Sequence, residues 1–267
     1  MLTRRKRRRR HAPETFEPGN QTVRPEKGSI MWNNYMNISA MNWLGQFTMM
    51  SGPFNQIVHF ISGSDLFKGL PIMGVLWYFW FRDTDPKSNT REIVIATLIG
   101  SVVATFIARA TNTLGPYQPR PFANTALAHH TYIGLPIPES QALYIWNSFP
   151  SDHAALFFSL ATGIFLISRK TGFWLYLYVA IFIALPRVYL GLHYPTDIVA
   201  GALLGIACVA LSTRAGVIKL YGRHCNMLLN RYPAAFQAVL FIVTVEIGTL
   251  FYDVRLLLEG IVKYFPR

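Results

Sequence analysis

Residues 93–114 read IVIATLIGSVVATFIARATNTL, an apolar run of 22 residues that contains one charged side chain, Arg109. A bilayer core of about 30 Å requires roughly 20 apolar helical residues per crossing. The run therefore predicts a membrane-spanning helix. A soluble globular domain is disfavoured, because only 14% of the 267 residues are charged, against about 25% in such domains.

Five further apolar runs raise the predicted number of spans to six. They cover residues 66–81, 154–168, 173–190, 198–211 and 234–252. The second and fourth of these become long enough only with the polar residues that precede them. The sequence therefore predicts an all-α protein, an integral membrane helical bundle of about six transmembrane helices.

Composition divides the chain into four segments. Residues 1–30 form a basic extension that we expect to be disordered, and 31–63 an apolar but polar-interrupted segment, typical of an interfacial amphipathic helix. Residues 64–213 form the core with five spans. Residues 214–267 hold a cytoplasmic connection, the sixth span and a C-terminal tail.

The net charge of +12 does not describe a basic binding surface. Residues 1–30 hold nine basic and three acidic residues, which is half of that charge. Such a dense run is most often a solvated arm, with attraction to anionic lipid second and a nucleic-acid role third. We therefore expect membrane lipids, and no nucleic acid, as partners.

Loop charges orient the predicted bundle, because Lys and Arg accumulate in short cytoplasmic loops. The connections after the first, third and fifth spans hold nine basic residues, whereas residues 115–150 and 187–195 hold two. The poorly charged side is thus predicted to face outward. This places the N-terminus outside, against its basic tract, so either residues 36–62 also cross or translation begins at Met31.

Three compact polar clusters lie on the predicted outer side. They are residues 118–122 (QPRPF), 149–153 (FPSDH) and 186–197 (PRVYLGLHYPTD). A six-helix bundle would bring them to one membrane surface. We therefore expect a cleft that combines two arginines, two histidines and an aspartate.

The types of these residues suit phosphoryl transfer. Arg120 and Arg187 offer planar forks for a phosphate group. His193 and Asp197 are four residues apart, so a helix that starts at Pro195 lets the carboxylate reach the imidazole. That contact would fix the tautomer and leave the other ring nitrogen free to attack phosphorus.

The second cluster supplies the remaining groups. His153 is the candidate general acid that protonates the departing oxygen. Ser151 and Asp152 lie at the expected N-terminus of a span, where free backbone N–H groups favour an anion, so we predict that both contribute to phosphate binding. The pattern requires neither a metal ion nor a cofactor. A single arginine or histidine at a helix end is equally often a snorkelling or hydrogen-bonded residue, but the five together favour a site.

These motifs resemble the signature of the type 2 phosphatidic acid phosphatase (PAP2) superfamily, which reads K-x6-R-P, P-S-G-H and S-R-x5-H-x3-D. The resemblance covers roughly residues 64–213. The matching residues are Arg120-Pro121, Pro150-Ser151-Asp152-His153 and Arg187-x5-His193-x3-Asp197.

The resemblance implies a membrane bundle of the PAP2/haloperoxidase-like fold that hydrolyses lipid phosphate esters or diphosphates through a phosphohistidine on His193. In that scheme Asp197 orients His193, and His153 protonates the leaving group. Arg120 and Arg187 would bind phosphate. Soluble vanadium haloperoxidases share the motifs, but about 100 membrane-spanning residues argue against that class here.

Three positions depart from the signature. Thr113 stands in place of the lysine, Asp152 in place of the glycine and Pro186 in place of the serine. Arg109, which lies 11 residues before Arg120, is a possible substitute cation. The R-P-F and F-P-S-D-H sequences are similar to the bacitracin-resistance branch of undecaprenyl-diphosphate phosphatases.

The expected activity is removal of the terminal phosphate of undecaprenyl diphosphate on the outer face of the plasma membrane, which recycles a cell-wall lipid carrier. The alternatives are a phosphatidic acid or phosphatidylglycerophosphate phosphatase, a lipid phosphotransferase, and a catalytically silent lipid-binding protein.

Other polar residues have simpler interpretations. Glu246 lies inside the sixth predicted span and is a site candidate by default, although a helix contact is the favoured role. His129 and His130 are expected to be solvated loop residues rather than metal ligands. Gly201 and Gly205 favour close helix packing.

Overall fold

The computed structural model describes residues 35–48, 51–82, 88–124, 127, 146–252, 254 and 257, and these ranges contain helices and no strand. The basic tract 1–30, His129 and His130 lie outside the described residues. The helices are α1 (Tyr35–Thr48), α2 (Gly52–Gly63), α3 (Asp65–Lys68), α4 (Leu70–Arg82), α5 (Thr90–Leu114), α6 (Asp152–Ile167), α7 (Arg169–Tyr189), α8 (Pro195–Ser212), α9 (Ala215–Arg231) and α10 (Pro233–Gly248).

Three of these helices, α5, α7 and α8, have the length and composition of membrane spans, among the residues that the structure describes. Helices α6 and α10 are apolar but shorter, with 16 residues each. The first predicted span is divided into α3 and α4, and α4 has 13 residues, about 20 Å at 1.5 Å per residue. The all-α membrane bundle is confirmed, and the count of six full-length spans remains a prediction.

Helices α5, α6 and α8 form the centre of the bundle. Helix α8 approaches the backbone of α6, because a Cβ at Gly201 would collide with the Ser151 carbonyl oxygen and one at Gly205 with the Ala155 carbonyl oxygen. The packing role predicted for this glycine pair is confirmed. The close approach also brings the beginning of α8 beside the beginning of α6, where two of the three polar clusters lie.

Apolar packing fixes α6 against α4 and α7. Leu156 and Leu160 of α6 and Ile72 and Leu76 of α4 are fully or almost fully buried in one cluster. Large apolar side chains also cover the outside of the bundle. Such an exterior suits contact with lipid acyl chains, since these are as apolar as the side chains themselves.

Helices α1 and α2, within the predicted interfacial segment, bury polar as well as apolar side chains against the bundle. Asn37 Nδ2 donates to Thr196 Oγ1 at 2.9 Å, and the Tyr189 hydroxyl donates to Asn55 Oδ1 at 2.6 Å. Exposed residues on the other face include Trp43. Both helices are thereby tied to the end of the bundle that carries the polar clusters, and their interfacial placement stays a prediction.

Candidate active site

The three polar clusters meet at one end of the bundle, beyond the C-termini of α5 and α7 and the N-termini of α6 and α8. Backbone hydrogen bonds of 3.1 Å join the clusters pairwise, one of them through Ser148, which directly precedes the second cluster. They run from Ser148 N to Gln118 O, from Phe122 N to Gly191 O and from Ser151 N to Asp197 O. The arrangement agrees with the expectation that one surface collects all three.

A cavity of about 530 Å³ opens between these segments. This volume lies within the range of small-molecule sites, about 300–1,000 Å³. We refer to it as the active-site cavity. Its polar lining includes Arg109, Asn112, Arg120, Asn147, Asp152 and His193.

His193 is 2% exposed and is held by the backbone. Its Nδ1 lies 2.8 Å from the Ser148 carbonyl oxygen, which can only accept a hydrogen bond. Nδ1 therefore carries the proton, and Nε2 keeps its lone pair in the neutral ring. We expected the Asp197 carboxylate to make this contact, but its Oδ2 lies 3.7 Å from Nδ1, beyond hydrogen-bonding distance.

Asp197 is fully buried and serves first as a helix cap. Its Oδ2 accepts the Tyr194 backbone N–H at 2.8 Å, in a capping box at the start of α8. Helix α8 begins at Pro195, the start on which the expected approach of Asp197 to His193 depended. The carboxylate acts on His193 mainly as a nearby negative charge, because its closest hydrogen bond goes to the cap.

The pKa of His193 is lowered from its usual value. Burial is the main cause, and the positive charges of Arg120 and Arg187 add to it. The nearby Asp197 acts in the opposite direction. A lowered pKa keeps the imidazole neutral at neutral pH, and the neutral form is the one that can attack an electrophile.

Arg120 and Arg187 are both largely buried, with 8% and 9% of their surface exposed. Arg120 Nη1 donates to the Leu192 carbonyl oxygen at 2.9 Å, which anchors one arm of the guanidinium. Burial lowers the pKa of Arg120, while Asp152 and Asp197 oppose this effect. Within the described residues the Arg187 guanidinium makes no hydrogen bond, although it lies close enough to Asp152 for their charges to interact.

The residues at the start of α6 are paired with one another and with α5. The Ser151 hydroxyl accepts the Ala154 N–H at 3.3 Å and so caps the helix. Asp152 Oδ2 lies 3.1 Å from Arg109 Nη2, and Asp152 Oδ1 lies 2.7 Å from His153 Nδ1. The phosphate-binding roles expected of Ser151 and Asp152, from backbone N–H groups at the start of α6, stay predictions, and the Asp152 carboxylate itself is an anion with two positive or proton-donating partners.

Unsatisfied polar atoms concentrate around this cavity. Each such buried atom costs about 1–3 kcal/mol, so a cluster of them indicates a place where a ligand or water completes the bonding. Among the described residues, five of the six belong to the cavity wall or its immediate neighbours: Arg109 Nε, Asn112 Oδ1, Gln118 Oε1, Arg120 Nε and Ser148 Oγ. The sixth is Glu246 Oε2 on α10, which is not among the residues that line the cavity.

The sequence analysis missed Lys68. It is 7% exposed, its Nζ lies 2.9 Å from Asp65 Oδ1, and its charge acts on Asp152 and His153. Its position inside the first predicted span could have marked it as a candidate site residue, since ionisable residues within membrane spans are commonly functional.

Comparison with known proteins identifies the family. Residues 89–219 match the PAP2 superfamily. The bacitracin transport permease protein BcrC of Bacillus licheniformis is 30% identical over 171 residues, which cover 64% of this chain and 76% of that protein. The chain belongs to the PAP2 superfamily.

Two further relatives of this PAP2 protein are undecaprenyl-diphosphatases. BcrC of Bacillus subtilis is 24% identical and covers 65% of this chain and 79% of its own. The Sulfolobus acidocaldarius protein is 32% identical and covers 44% of this chain and 52% of its own. No solved structure matches the chain significantly. The superfamily match, the undecaprenyl-diphosphatase relatives and the apolar helices together make the chain an integral membrane phosphatase.

Proposed function

We propose that this PAP2 protein hydrolyses a polyprenyl diphosphate, with undecaprenyl diphosphate as the candidate, to the monophosphate through a phosphohistidine on His193. The main support is the geometry of His193. Its Nδ1 is hydrogen-bonded to the Ser148 carbonyl oxygen at 2.8 Å, and the residue lies in the wall of a cavity that Arg120 also lines. The names of the undecaprenyl-diphosphatase relatives support the substrate.

Three arginines provide the charge that binds the diphosphate. Arg120 lines the cavity with a buried Nε that has no protein partner, and Arg109 enters the same cavity from α5. Arg187 lies close enough for its charge to act on Asp152 and His193. A polyprenyl diphosphate carries several negative charges near neutral pH, since a single phosphate monoester already carries about −1.5 to −2. Arg109 thus serves as the third cation, in place of the lysine that the family motif has at position 113.

In the first step Nε2 of His193 attacks the terminal phosphorus. The bond from that phosphorus to the bridging oxygen breaks, and the lipid monophosphate leaves with a proton from His153. Asp197 stabilises the positive charge on His193 as the N–P bond forms. The arginines stabilise the charge that develops on the phosphoryl oxygens.

In the second step a water molecule attacks the phosphohistidine, and His153 takes the proton of that water. The N–P bond breaks, inorganic phosphate leaves, and His193 returns to its neutral form. The chemistry is complete with side chains alone, so we expect activity in the presence of a chelator.

The test is release of phosphate in detergent, without divalent metal, from undecaprenyl diphosphate, phosphatidic acid and phosphatidylglycerophosphate. We expect the diphosphate to react fastest, and His193→Ala to abolish release from all three. His59→Gln is the matched control, because His59 is an exposed histidine on α2. Brief reaction with substrate labelled at the terminal phosphorus should leave an acid-labile label on the wild type and none on His193→Ala.

Two results would contradict the proposal. Phosphate release that persists in His193→Ala would rule out the phosphohistidine intermediate. Faster release from phosphatidic acid or phosphatidylglycerophosphate would rule out the polyprenyl diphosphate as the preferred substrate.

We propose further that the cavity opens on the outer face of the plasma membrane. The support is the contrast between the basic connections at one end of the bundle and the poorly charged segments at the other. With Cys208 and Cys225 replaced by alanine, an impermeant maleimide should label Tyr117→Cys in intact cells and Lys219→Cys only after permeabilisation. The reverse pattern would invert the orientation.

A further inference from the structure

Asp152 presents a carboxylate to a cavity that should bind an anion. Its side chain is 19% exposed and lies in the same wall as Arg109, Arg120 and His193. An unpaired carboxylate there would repel phosphate by Coulomb's law. The family motif has a glycine at this position, so the cavity does not need a carboxylate for space or for backbone geometry.

Each oxygen of this carboxylate has a separate partner. Oδ2 lies 3.1 Å from Arg109 Nη2 on α5, and Oδ1 lies 2.7 Å from His153 Nδ1 on α6. Oδ1 also accepts the His153 backbone N–H at 2.7 Å. Asp152 therefore joins the proposed third cation to the proposed proton donor.

The contact with Arg109 explains how the chain functions without the motif lysine. Arg109 and Thr113 lie one turn apart on the same face of α5, where Thr113 Oγ1 donates to the Arg109 carbonyl oxygen at 3.0 Å. Both residues line the cavity. With one arm held by Asp152, Arg109 has its Nε buried and without a partner, which leaves an N–H for a phosphate oxygen.

The contact with His153 sets the chemistry of the proton donor. A carboxylate can only accept, so the proton lies on Nδ1 and the reactive nitrogen is Nε2. Burial most strongly disfavours the imidazolium form of His153, and the positive charges of Arg187 on α7 and Lys68 on α3 add to this effect. Arg109 on α5 lies on the other side of Asp152. The Asp152 carboxylate favours the form that can give a proton.

We propose that Asp152 is a positioning residue that replaces the glycine and compensates for the missing lysine of the family motif, by holding Arg109 at the phosphate site and keeping His153 competent as the general acid. The proposal rests on the proposed phosphatase function. It assigns Asp152 an indirect role in phosphate binding, through Arg109.

The experiment compares phosphate release from undecaprenyl diphosphate over a pH series for the wild type, Asp152→Asn, Arg109→Ala and the double variant. Asp152→Asn should lower kcat/KM by roughly 10- to 150-fold, the range of a hydrogen bond to a charged group. It should also move the basic limb of kcat to lower pH, because the imidazolium of His153 loses its stabilising charge. In the Arg109→Ala background, Asp152→Asn should raise KM no further.

A second pair of variants restores the family pattern. Asp152→Gly alone should raise KM, and Asp152→Gly with Thr113→Lys should recover KM while the basic limb remains at lower pH. This pair tests the proposal even where one single variant folds poorly. Size-exclusion elution and thermal unfolding identify such a variant.

Three outcomes would overturn the proposal. A lower KM in Asp152→Asn would show that the carboxylate only repels phosphate. The other two are a basic limb of kcat that does not move in Asp152→Asn, and effects of Asp152→Asn and Arg109→Ala on KM that multiply in the double variant. Failure of the phosphatase function itself is a separate result, since it appears as inactivity of the wild type toward all lipids.

Discussion

Substitution of Arg120 tests the electrostatics of the site most directly. This residue is proposed to bind the substrate phosphate, and its charge also influences the protonation state of the nucleophile, His193. One arm of its guanidinium is fixed on the Leu192 carbonyl oxygen at 2.9 Å. Its Nε is buried and unpartnered. Arg120→Gln removes a donor to phosphate and a positive charge close to His193.

The loss in rate follows from the donor. A hydrogen bond to a charged group contributes about 1.5–3 kcal/mol, and about 1.4 kcal/mol corresponds to a factor of ten in rate. We therefore expect kcat/KM of Arg120→Gln to fall by roughly 10- to 150-fold.

The pH dependence follows from the charge. Burial lowers the pKa of His193, and the Arg120 charge lowers it further. Without that charge the pKa rises, so a larger fraction of His193 is protonated and inactive at a given pH. The acid limb of kcat/KM should therefore move to higher pH in Arg120→Gln. Arg120→Lys is the matched control, because it keeps the positive charge but loses the planar guanidinium group. The acid limb of kcat/KM should stay at its wild-type pH in this variant.

The assay is initial release of phosphate from undecaprenyl diphosphate in detergent between pH 4 and 8. An acid limb that stays in place or moves to lower pH in Arg120→Gln would refute the electrostatic coupling to His193. A kcat/KM within twofold of the wild type would refute the contact with phosphate.

The remaining predictions concern the charge partner of His193 and the central helix packing. Asp197→Asn removes a charge that raises the pKa of His193, so the acid limb in the same pH series should move to lower pH while kcat falls; a shift to higher pH would contradict this. Gly205→Ala places a methyl group against the Ala155 carbonyl oxygen and should destabilise the protein by about 1–3 kcal/mol, seen as a lower unfolding temperature in detergent. Gly74→Ala has open space around its Cβ and should not destabilise, so equal losses in both would show that the close approach of α8 to α6 is not responsible.

The helices and the motifs were predictable from the sequence because both depend on local patterns. The 22-residue apolar run at 93–114 has the length that a bilayer requires, and α5 spans it. Proline at position 195 fixes the first turn of α8. His193 and Asp197 were expected near each other because they are four residues apart at the start of a helix.

The partners of the side chains were not predictable in the same way. Spacing suggested that Asp197 binds His193, but the carboxylate caps α8 and the Ser148 carbonyl oxygen, 45 residues away in sequence, takes that place. Nothing in a four-residue spacing reveals this competition, because it depends on how the loop before α6 packs against α8.

The sequence by itself therefore determined the helical membrane class, the residues of the three motifs and the departures at Thr113 and Asp152. Only the tertiary structure decided that Arg109 pairs with Asp152, since the two residues are 43 positions apart and meet at 3.1 Å. The physical reason is range: apolar length and helix periodicity act over a few residues and can be read along the chain. Charge pairing and hydrogen-bond competition act through space, and the packing of α5, α6 and α8 decides which groups meet.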